Sequence, residues 1–391
     1  MIALGTYDAA RHPRIAVLIA GLRAHGSKVT ELNRPLGFST AERVRMLQQP
    51  WRLPALAARL LQCWAGLVRD TVRQRRAEGP PGAVLVGYLG HFDVVLARLL
   101  HPRSVIVLDH LVFAGDTAAD RGAAGLRVRL LTALDRLAVA CADLVVTDTE
   151  EHRQMLPDPD KGVVVLVGAP DAWRTAASPP GAPPLVELVE TPVELAPAVE
   201  PVETEASTGG PGALSVVFFG LYTPLQGAPV IAEAVRDAVA AGAALRVTMV
   251  GAGQDLPLAR EVLAGTPGVT WHDWVEADEL PGLVAGHQVC LGIFSDTPKG
   301  VRVVPNKVYQ GLAAGCVVVT SDTPPQRRAL GEHVELVPAA DPRALAAELV
   351  NLCDPAALAA ARERAARGRD WIRPQVVTEP LVAELRRRGV L

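Results

Sequence analysis

The sequence predicts an α/β protein with two doubly wound parallel sheets, each the core of a Rossmann-like domain, and the two domains facing a cleft. Two observations support this prediction. Short apolar runs rich in β-branched residues alternate with longer helical stretches, which is typical of parallel strands buried on both faces. The alternation stops at residue 175 and starts afresh after residue 212. Two separate sheets are therefore expected.

The first half of the chain contains six apolar strand candidates. They are Ile2–Gly5, Val29–Leu32, Ala83–Val86, Val105–Leu108, Leu144–Thr147 and Val163–Val167. Between them, helical patterns span about 14–25, 54–77, 92–100, 123–141 and 149–155. We therefore predict one N-terminal domain over residues 1–174.

The second half repeats the pattern. Its predicted strands are Ser215–Phe219, Arg246–Val250, Val269–His272, Val289–Ile293, Val317–Thr320 and Val334–Leu336. Its predicted helices span 228–241, 256–264, 278–285, 305–314, 324–330 and 342–352. These elements predict a C-terminal domain over residues 213–370. A last helix, at about 375–388, lies in a segment 371–391 that we expect to return to the N-terminal domain.

Residues 175–212 separate the two predicted domains. They are rich in proline, alanine and glutamate, with six glutamates and no basic residue over 176–212. No period is visible, and the segment is too long for an ordinary connection in a compact domain. We expect a disordered linker or insert.

Composition narrows the functional classes. The 391 residues are 49% hydrophobic and 21% charged, with a net charge of −3, which gives no general argument for nucleic-acid binding. The slightly basic N-terminal half allows at most a weak peripheral contact with an anionic membrane. The five cysteines show no C-x-x-C spacing, which favours a reducing compartment. The N-terminus has no basic n-region typical of a signal peptide. We expect a cytoplasmic protein, with the inner membrane face as the alternative.

The stretch KGVRVVPNKVYQGLAAG at 299–315 holds two of the four lysines in the chain. Pro305 suits the first turn of a helix and Gly315 its end. Lys307 then lies in the first turn, with Arg302 and Lys299 just before it. Cations oppose the helix dipole at that end unless an anion binds there. The pattern favours a diphosphate site, and the alternative is a polar loop with solvated lysines.

This stretch resembles the donor-site segment of GT-B fold glycosyltransferases, in particular those like family four, the glycosyl transferases group 1. That segment has a loop, then P-x-K, then a short helix ending before a buried strand. VVFFGLYTPLQGAPVIAEAV and VTMVGAGQD resemble the family's first two strand–glycine-loop pieces of the second domain. GAPDAWR and DLVVTDTEEHRQML resemble the end of its first domain.

The resemblance implies transfer of a sugar from a nucleotide-diphosphate sugar, such as a UDP or GDP sugar, to an acceptor. That acceptor is a glycan, a lipid or a natural product. By the same resemblance the enzyme is hexosyltransferase-like, retaining and without a metal or other cofactor. The alternative is a catalytically silent protein that binds a nucleotide sugar or partners another transferase. The expected donor-binding residues are Gly5, Thr6, Gly220, Tyr222, Thr223, Gly251, Lys299, Arg302, Asn306, Lys307 and Gln310.

The chain departs from the family pattern at two places. Many relatives carry Glu-x7-Glu where this chain has Arg302 and Gln310. The family also often has Arg and Lys in the loop that here reads GLYTPLQG, which offers Leu221 and Gln226 instead. Either the phosphate-neutralising charge has moved to Lys299, Arg302 and Lys307, or the chain has lost its activity.

The N-terminal domain is expected to bind the acceptor. Asp109 and His110 follow a strand where relatives often place a histidine or aspartate near the donor sugar, and they are the predicted catalytic pair. His91, His12 and Arg14 are predicted acceptor contacts. Turn and capping chemistry is the alternative for His12 and Arg14, and a satisfied strand end for Asp109 and His110.

Three other readings of the sequence receive less support. Asp158-Pro159-Asp160 has the D-x-D form of a metal motif, but its flanking prolines indicate a turn. VGAGQD lacks the third glycine of a dinucleotide fingerprint. A sugar epimerase of the same fold would need a paired acidic motif, and none is visible.

Overall fold

The computed structural model describes residues 1–9, 13–37, 53–120, 123–176 and 212–391. The described chain forms two compact units. The first unit comprises Met1–Pro170, Arg302–Asn306 and Asp370–Leu391. The second unit comprises Asp171–Val301 and Lys307–Arg369.

The first unit contains one six-stranded sheet. Its strands are β1 (Ile2–Gly5), β2 (Thr30–Asn33), β3 (Ala83–Val86), β4 (Val105–Asp109), β5 (Leu144–Thr147) and β6 (Gly162–Val164). Its early helices are α1 (Arg14–Ala24), α2 (Leu53–Glu78), α3 (Asp93–Leu100), α4 (Ala114–Asp120), α5 (Leu126–Cys141) and α6 (Glu150–Gln154). All pairings are parallel, in the order β2-β1-β3-β4-β5-β6.

The second unit contains the other six-stranded sheet. After α7 (Asp171–Thr175), its strands are β7 (Leu214–Phe219), β8 (Leu245–Val250), β9 (Val269–His272), β10 (Val289–Leu291), β11 (Val317–Ser321) and β12 (Glu335–Val337). The helices are α8 (Ala228–Ala240), α9 (Leu256–Val262), α10 (Leu280–Ala285), α11 (Asn306–Ala313), α12 (Pro324–Leu330), α13 (Pro342–Asn351) and α14 (Pro355–Trp371). The sheet is parallel, in the order β12-β11-β10-β7-β8-β9.

The strand order locates the candidate sites. In open α/β sheets, ligands bind beyond the carboxyl ends of the strands, where the order reverses. The order reverses between β1 and β3 in the first sheet and between β7 and β10 in the second. The loops that follow these strands are therefore where functional side chains are expected.

Both sheets are buried on both faces, which explains their near-continuous apolar strands. In the first sheet, Leu4 and Val86 pack on one face, while Ala3 and Leu85 pack on the other. This alternation follows from the two-residue period of a strand. The second sheet packs Phe218 and Met249 against α8 and α13 in one large core.

The chain ends on the first unit. Two short helices, α15 (Pro374–Val377) and α16 (Glu379–Arg387), follow α14. Leu381, Val382 and Leu385 of α16 are buried in the same cluster as Ala3 and Ile15. α15 packs on α1 so closely that a Cβ atom at Gly21 would lie 2.1 Å from Thr378 Oγ1.

The predicted fold class is confirmed, and each observed strand lies within a few residues of its prediction. Three helices were not predicted: α4, α7 and α14. The longest, α14, buries Leu358 and otherwise the small residues Ala361, Ala365 and Gly368, so it has no large apolar stripe to indicate a helix. The predicted helix 375–388 is two helices that meet at Thr378. Most of the predicted linker, 177–211, lies outside the described residues.

Among the described residues, no single helix is long and apolar enough to cross a membrane. The bent pair formed by α13 and α14 passes that test by length and composition together, with an angle of 102° between the two helices.

Candidate functional site

Two glycine loops meet at the carboxyl ends of β7 and β8 in the second unit. Gly220 and Gly251 have φ angles of 138° and 119°, a region that L side chains rarely adopt. A Cβ atom at Gly251 would lie 2.0 Å from the Gly220 carbonyl oxygen. Tyr222 N–H donates to the Ala252 carbonyl at 3.1 Å. The two loops therefore pack backbone against backbone.

Lys307 reaches this loop pair from the first turn of α11. A Cβ atom at Gly220 would lie 3.2 Å from Lys307 Nζ. Lys307 is only 5% exposed, and its Nζ has no hydrogen-bond partner in the described part of the chain. Burial lowers its pKa to about 7, against a small opposing effect of Cys290. A buried amine of this kind is stabilised when an anion approaches.

Gln226 provides a second polar atom beside Gly220. A Cβ atom at Gly220 would lie 3.9 Å from Gln226 Oε1. Within the described ranges, that oxygen is also buried without a hydrogen-bond partner. Buried polar atoms in proteins nearly always have a partner. The two unsatisfied atoms around one glycine thus indicate a place where a polar ligand binds.

The other predicted donor residues of the second unit differ in their surroundings. Tyr222 belongs to the core, where its ring lies 5.4 Å from the Phe218 ring and burial raises its pKa. Thr223 precedes the short 3₁₀ turn Pro224–Gln226. Gln310 and Lys299 are half-buried. The structure therefore brings Gly220, Gly251 and Lys307 together and places the side chain of Tyr222 in the core.

Arg302 and Asn306 fall in the segment that clusters with the first unit. Arg302 Nη2 donates to Asp116 Oδ1 at 2.9 Å, and its carbonyl accepts from Thr149 Oγ1 at 2.9 Å. Asn306 is exposed at the start of α11. The guanidinium of Arg302 therefore already has a carboxylate partner, with which any diphosphate would compete.

The loop after β1 contains the predicted residues Gly5 and Thr6. Thr6 N–H and Oγ1 donate to Asp93 Oδ2 at 2.7 and 2.8 Å. Trp64 Nε1 donates to Asp93 Oδ1 at 2.9 Å. A Cβ atom at Gly5 would lie 3.0 Å from Tyr7 and 3.4 Å from Asp93. Asp93 thus fixes the loop at the reversal point of the first sheet.

Arg14, a predicted acceptor contact, points into the protein interior. It is 1% exposed, and its Nε donates to Asp109 Oδ1 at 3.2 Å. Its two other nitrogens donate to the Leu166 and Val165 carbonyls. Burial raises the pKa of Asp109, and the charge of Arg14 opposes that shift. Arg14 therefore neutralises the predicted catalytic aspartate from behind.

His91 and His110 lie beside each other after β3 and β4, with their rings 5.2 Å apart. His91 Nε2 lies 2.9 Å from Asp135 Oδ1, and His110 Nε2 lies 4.0 Å from the same oxygen. Burial, with a further contribution from His91, lowers the pKa of His110 to about 3. A neutral His110 ring is suited to hydrogen bonding with a sugar hydroxyl.

Sequence reasoning missed Asp135, Asp93 and the Asp148–His152 pair, in which His152 Nδ1 lies 2.5 Å from Asp148 Oδ1. Asp135 shares the buried face of α5 with Ala138 and Val139, and an acidic residue on an apolar stripe is a readable signal. The four-residue spacing of Asp148 and His152 on one helical face is another. His12 lies outside the described residues.

The D-x-D triplet is a turn, as predicted. Asp158 accepts a hydrogen bond from the Asp160 N–H at 3.1 Å and caps a 3₁₀ turn at Pro159–Lys161. Its carboxylate is thus committed to local backbone geometry, an arrangement typical of turns.

Comparison with solved structures defines the class of the fold. Anabaena Alr3699/HepE in complex with UDP-glucose is 12% identical, with a TM-score of 0.60 over 99% of this chain and 98% of that one. The α,α-trehalose-phosphate synthase (UDP-forming) of Burkholderia vietnamiensis is 16% identical, with a TM-score of 0.55 over 86% and 78%. A putative UDP-N-acetylglucosamine 2-epimerase of Listeria monocytogenes is 13% identical, with a TM-score of 0.55 over 100% and 96%. The fold is that of GT-B glycosyltransferases.

The sequence then identifies the family. Residues 213–354 match the family model of the glycosyl transferases group 1, so this segment of the chain belongs to that family. The predicted resemblance is confirmed. No curated protein sequence matches the chain significantly.

Proposed function

We propose that this protein transfers a sugar from a nucleotide-diphosphate sugar to an acceptor. The observation that carries the proposal is the buried, unpartnered amine of Lys307 beside Gly220, inside the segment that matches group 1 glycosyl transferases. An anion at this loop would satisfy both the amine and the dipole of α11.

In the proposed reaction, the bond between the anomeric carbon and the phosphate oxygen breaks. The electron pair stays on the diphosphate leaving group, whose charge increases in the transition state. Lys307 and the backbone N–H groups around Gly220 would stabilise that charge without a metal ion, because fixed dipoles and cations act strongly in a desolvated site. Lys299 and Arg302 are proposed as supporting cations, and Gln310 as a ribose contact in place of glutamate.

UDP is the first nucleotide to test. Alr3699/HepE was solved with UDP and with UDP-glucose, and this supports a uridine donor here by similarity of fold alone. A GDP sugar is the competing donor. Retention of configuration, which we infer from the family resemblance, would be read from the anomeric product by NMR.

The first unit would contribute His110, with Asp109 behind it. His110 Nε2 is buried and has no hydrogen-bond partner within the described ranges, so a donor-sugar hydroxyl is a chemically suitable partner. Asp109 is neutralised by Arg14, which suits a positioning carboxylate better than a nucleophile. The acceptor class remains a glycan, a lipid or a natural product.

Calorimetry with UDP and GDP tests the donor site. Lys307→Met keeps the length and the apolar stem of the side chain, so the packing on Phe218 is retained. We expect this change to weaken UDP binding at least tenfold, since a charge-assisted bond contributes about 1.5–3 kcal/mol. Lys28→Met is the matched control, because Lys28 is exposed and paired with Glu78.

Two results would contradict the proposal. One is equal UDP affinity in the wild type and Lys307→Met. The other is nucleotide binding without release of nucleotide from any common sugar donor, which would favour the catalytically silent alternative. A nucleotide-release assay across UDP and GDP sugars therefore separates enzyme from binder.

A further inference from the structure

Three ligand-type atoms converge in the interior of the first unit. They are Nε2 of His91, Nε2 of His110 and a carboxylate oxygen of Asp135, all within 4.8 Å of one another. All three residues are buried. They come from three places in the chain: the loops after β3 and β4, and the middle of α5. The fold, and not local sequence, brings them together.

One of the three atoms lacks a partner. His110 Nε2 is buried without a hydrogen bond in the part of the chain that the structure describes, while its residue is 1% exposed. It lies 4.0 Å from Asp135 Oδ1, too far for a hydrogen bond. An atom placed between the two histidines and the carboxylate would use this nitrogen.

The carboxylate is held in place independently of the histidines. Asp135 Oδ1 accepts from the Ala114 N–H and Oδ2 accepts from the Gly115 N–H, each at 3.0 Å. Such outer hydrogen bonds orient metal-binding carboxylates. A cavity of about 760 Å³ lined by Asp135, Gly115 and Phe113 reaches the cluster and offers an entry path.

We propose that His91, His110 and Asp135 bind one divalent transition-metal ion of the zinc class. Two imidazoles and a carboxylate suit zinc, cobalt(II), nickel or copper(II), whereas magnesium and calcium prefer oxygen ligands. Ligand atoms around zinc lie about 2.0–2.2 Å from the ion. The separations of 2.9 and 4.0 Å from Asp135 Oδ1 reach that geometry with shifts of about 1 Å or less.

The proposed metal would also affect catalysis, and this consequence alone rests on the proposed function. A bound ion takes the Nε2 lone pair of His110, the atom proposed to face the donor sugar. Zinc would therefore inhibit sugar transfer, and a chelator would reverse the inhibition. Because UDP would bind at Lys307 in the second unit, zinc would leave UDP affinity unchanged.

The test is a metal titration of the full chain after chelator treatment, with no sugar donor present. We expect one equivalent of Zn²⁺ by calorimetry. We also expect a Co²⁺ complex with visible ligand-field bands and no thiolate charge-transfer band, which excludes the five cysteines as ligands. His91→Gln, His110→Gln and Asp135→Asn should each weaken binding by at least about 10–100-fold, the effect of losing even outer-shell partners.

His101→Gln is the matched control. His101 is also buried in the first unit with an unpartnered Nε2, but it does not belong to the cluster. It should bind zinc as the wild type does. Thermal melting and UDP binding check that each variant is folded. No stoichiometric zinc binding, unchanged affinity in all three variants, or a thiolate–cobalt spectrum would each overturn the proposal.

Discussion

The Nζ atom of Lys307 lies 3.8 Å from the centroid of the Phe218 ring. An aromatic face attracts an ammonium ion, but it cannot replace a carboxylate or a phosphate as a partner. The same nitrogen has no hydrogen-bond acceptor among the described residues. The protonation of Lys307 therefore depends on whether an anion is present, which gives the candidate donor site a measurable signature.

Nucleotide binding should take up a proton. With its pKa lowered to about 7, Lys307 is mostly neutral at pH 8, and a bound diphosphate favours the ammonium form. UDP affinity should fall as pH rises above 7, by up to about tenfold per pH unit. Calorimetry at pH 8 in HEPES and in Tris should show uptake of nearly one proton in the wild type. The prediction is wrong if Lys307→Met shows the same buffer dependence.

Folding stability should also depend on the charge of Lys307. The unfolded chain holds this proton up to about pH 10.5, while the folded chain loses it above about pH 7. The group therefore destabilises the fold fully below pH 7, and this cost disappears as pH rises from 7 to 10.5. Lys307→Met should be more stable than the wild type at pH 6.5, by on the order of 5 kcal/mol at most. Urea unfolding at pH 6.5 and 10 measures the gap. A gap that does not shrink at pH 10, or an equal gain in Lys28→Met, would contradict this.

Gly251→Ala should abolish the donor site. A Cβ atom there would lie 2.0 Å from the Gly220 carbonyl oxygen, so the two loops would have to separate. We expect UDP affinity to fall by at least about tenfold and stability to fall by about 1–3 kcal/mol. Gly242→Ala is the control, because Gly242 also has a positive φ but open space around it. Equal effects of both substitutions on UDP binding would show that backbone strain alone is responsible.

Breaking the Arg14–Asp109 pair should destabilise the first unit. Both side chains are almost fully buried at 3.2 Å, and removal of one partner leaves an isolated buried charge. Arg14→Met should cost about 3–5 kcal/mol. Adding Asp109→Asn should recover part of that loss, which a double-mutant cycle in urea would measure. Additive losses would show that the two charges are not coupled.

The strands were predictable because both sheets are covered on both faces, so burial shaped their sequences directly. Lys307 was predictable for a related reason: in a chain with few lysines, a lysine in the first turn of a helix was conspicuous. Gly220 and Gly251 were assigned by family resemblance, and the structure supplies the reason for them in the contact between their loops.

Other features depend on tertiary contacts that no local pattern reveals. The inward direction of Arg14 depends on carbonyl groups about 150 residues away. Asp135 meets His91 only because α5 packs against α3. The helix α14 buries mainly small residues, so its sequence resembles that of an exposed helix.

The position of α16 has a consequence for biosynthesis. Its residues Leu381, Val382 and Leu385 complete a core that begins with Ala3 and Ile15. The ribosome makes these two parts of one core almost 400 codons apart. The first unit, although it emerges first, leaves one apolar face of its sheet incomplete until translation ends, so the second sheet has the chance to fold before the first is closed.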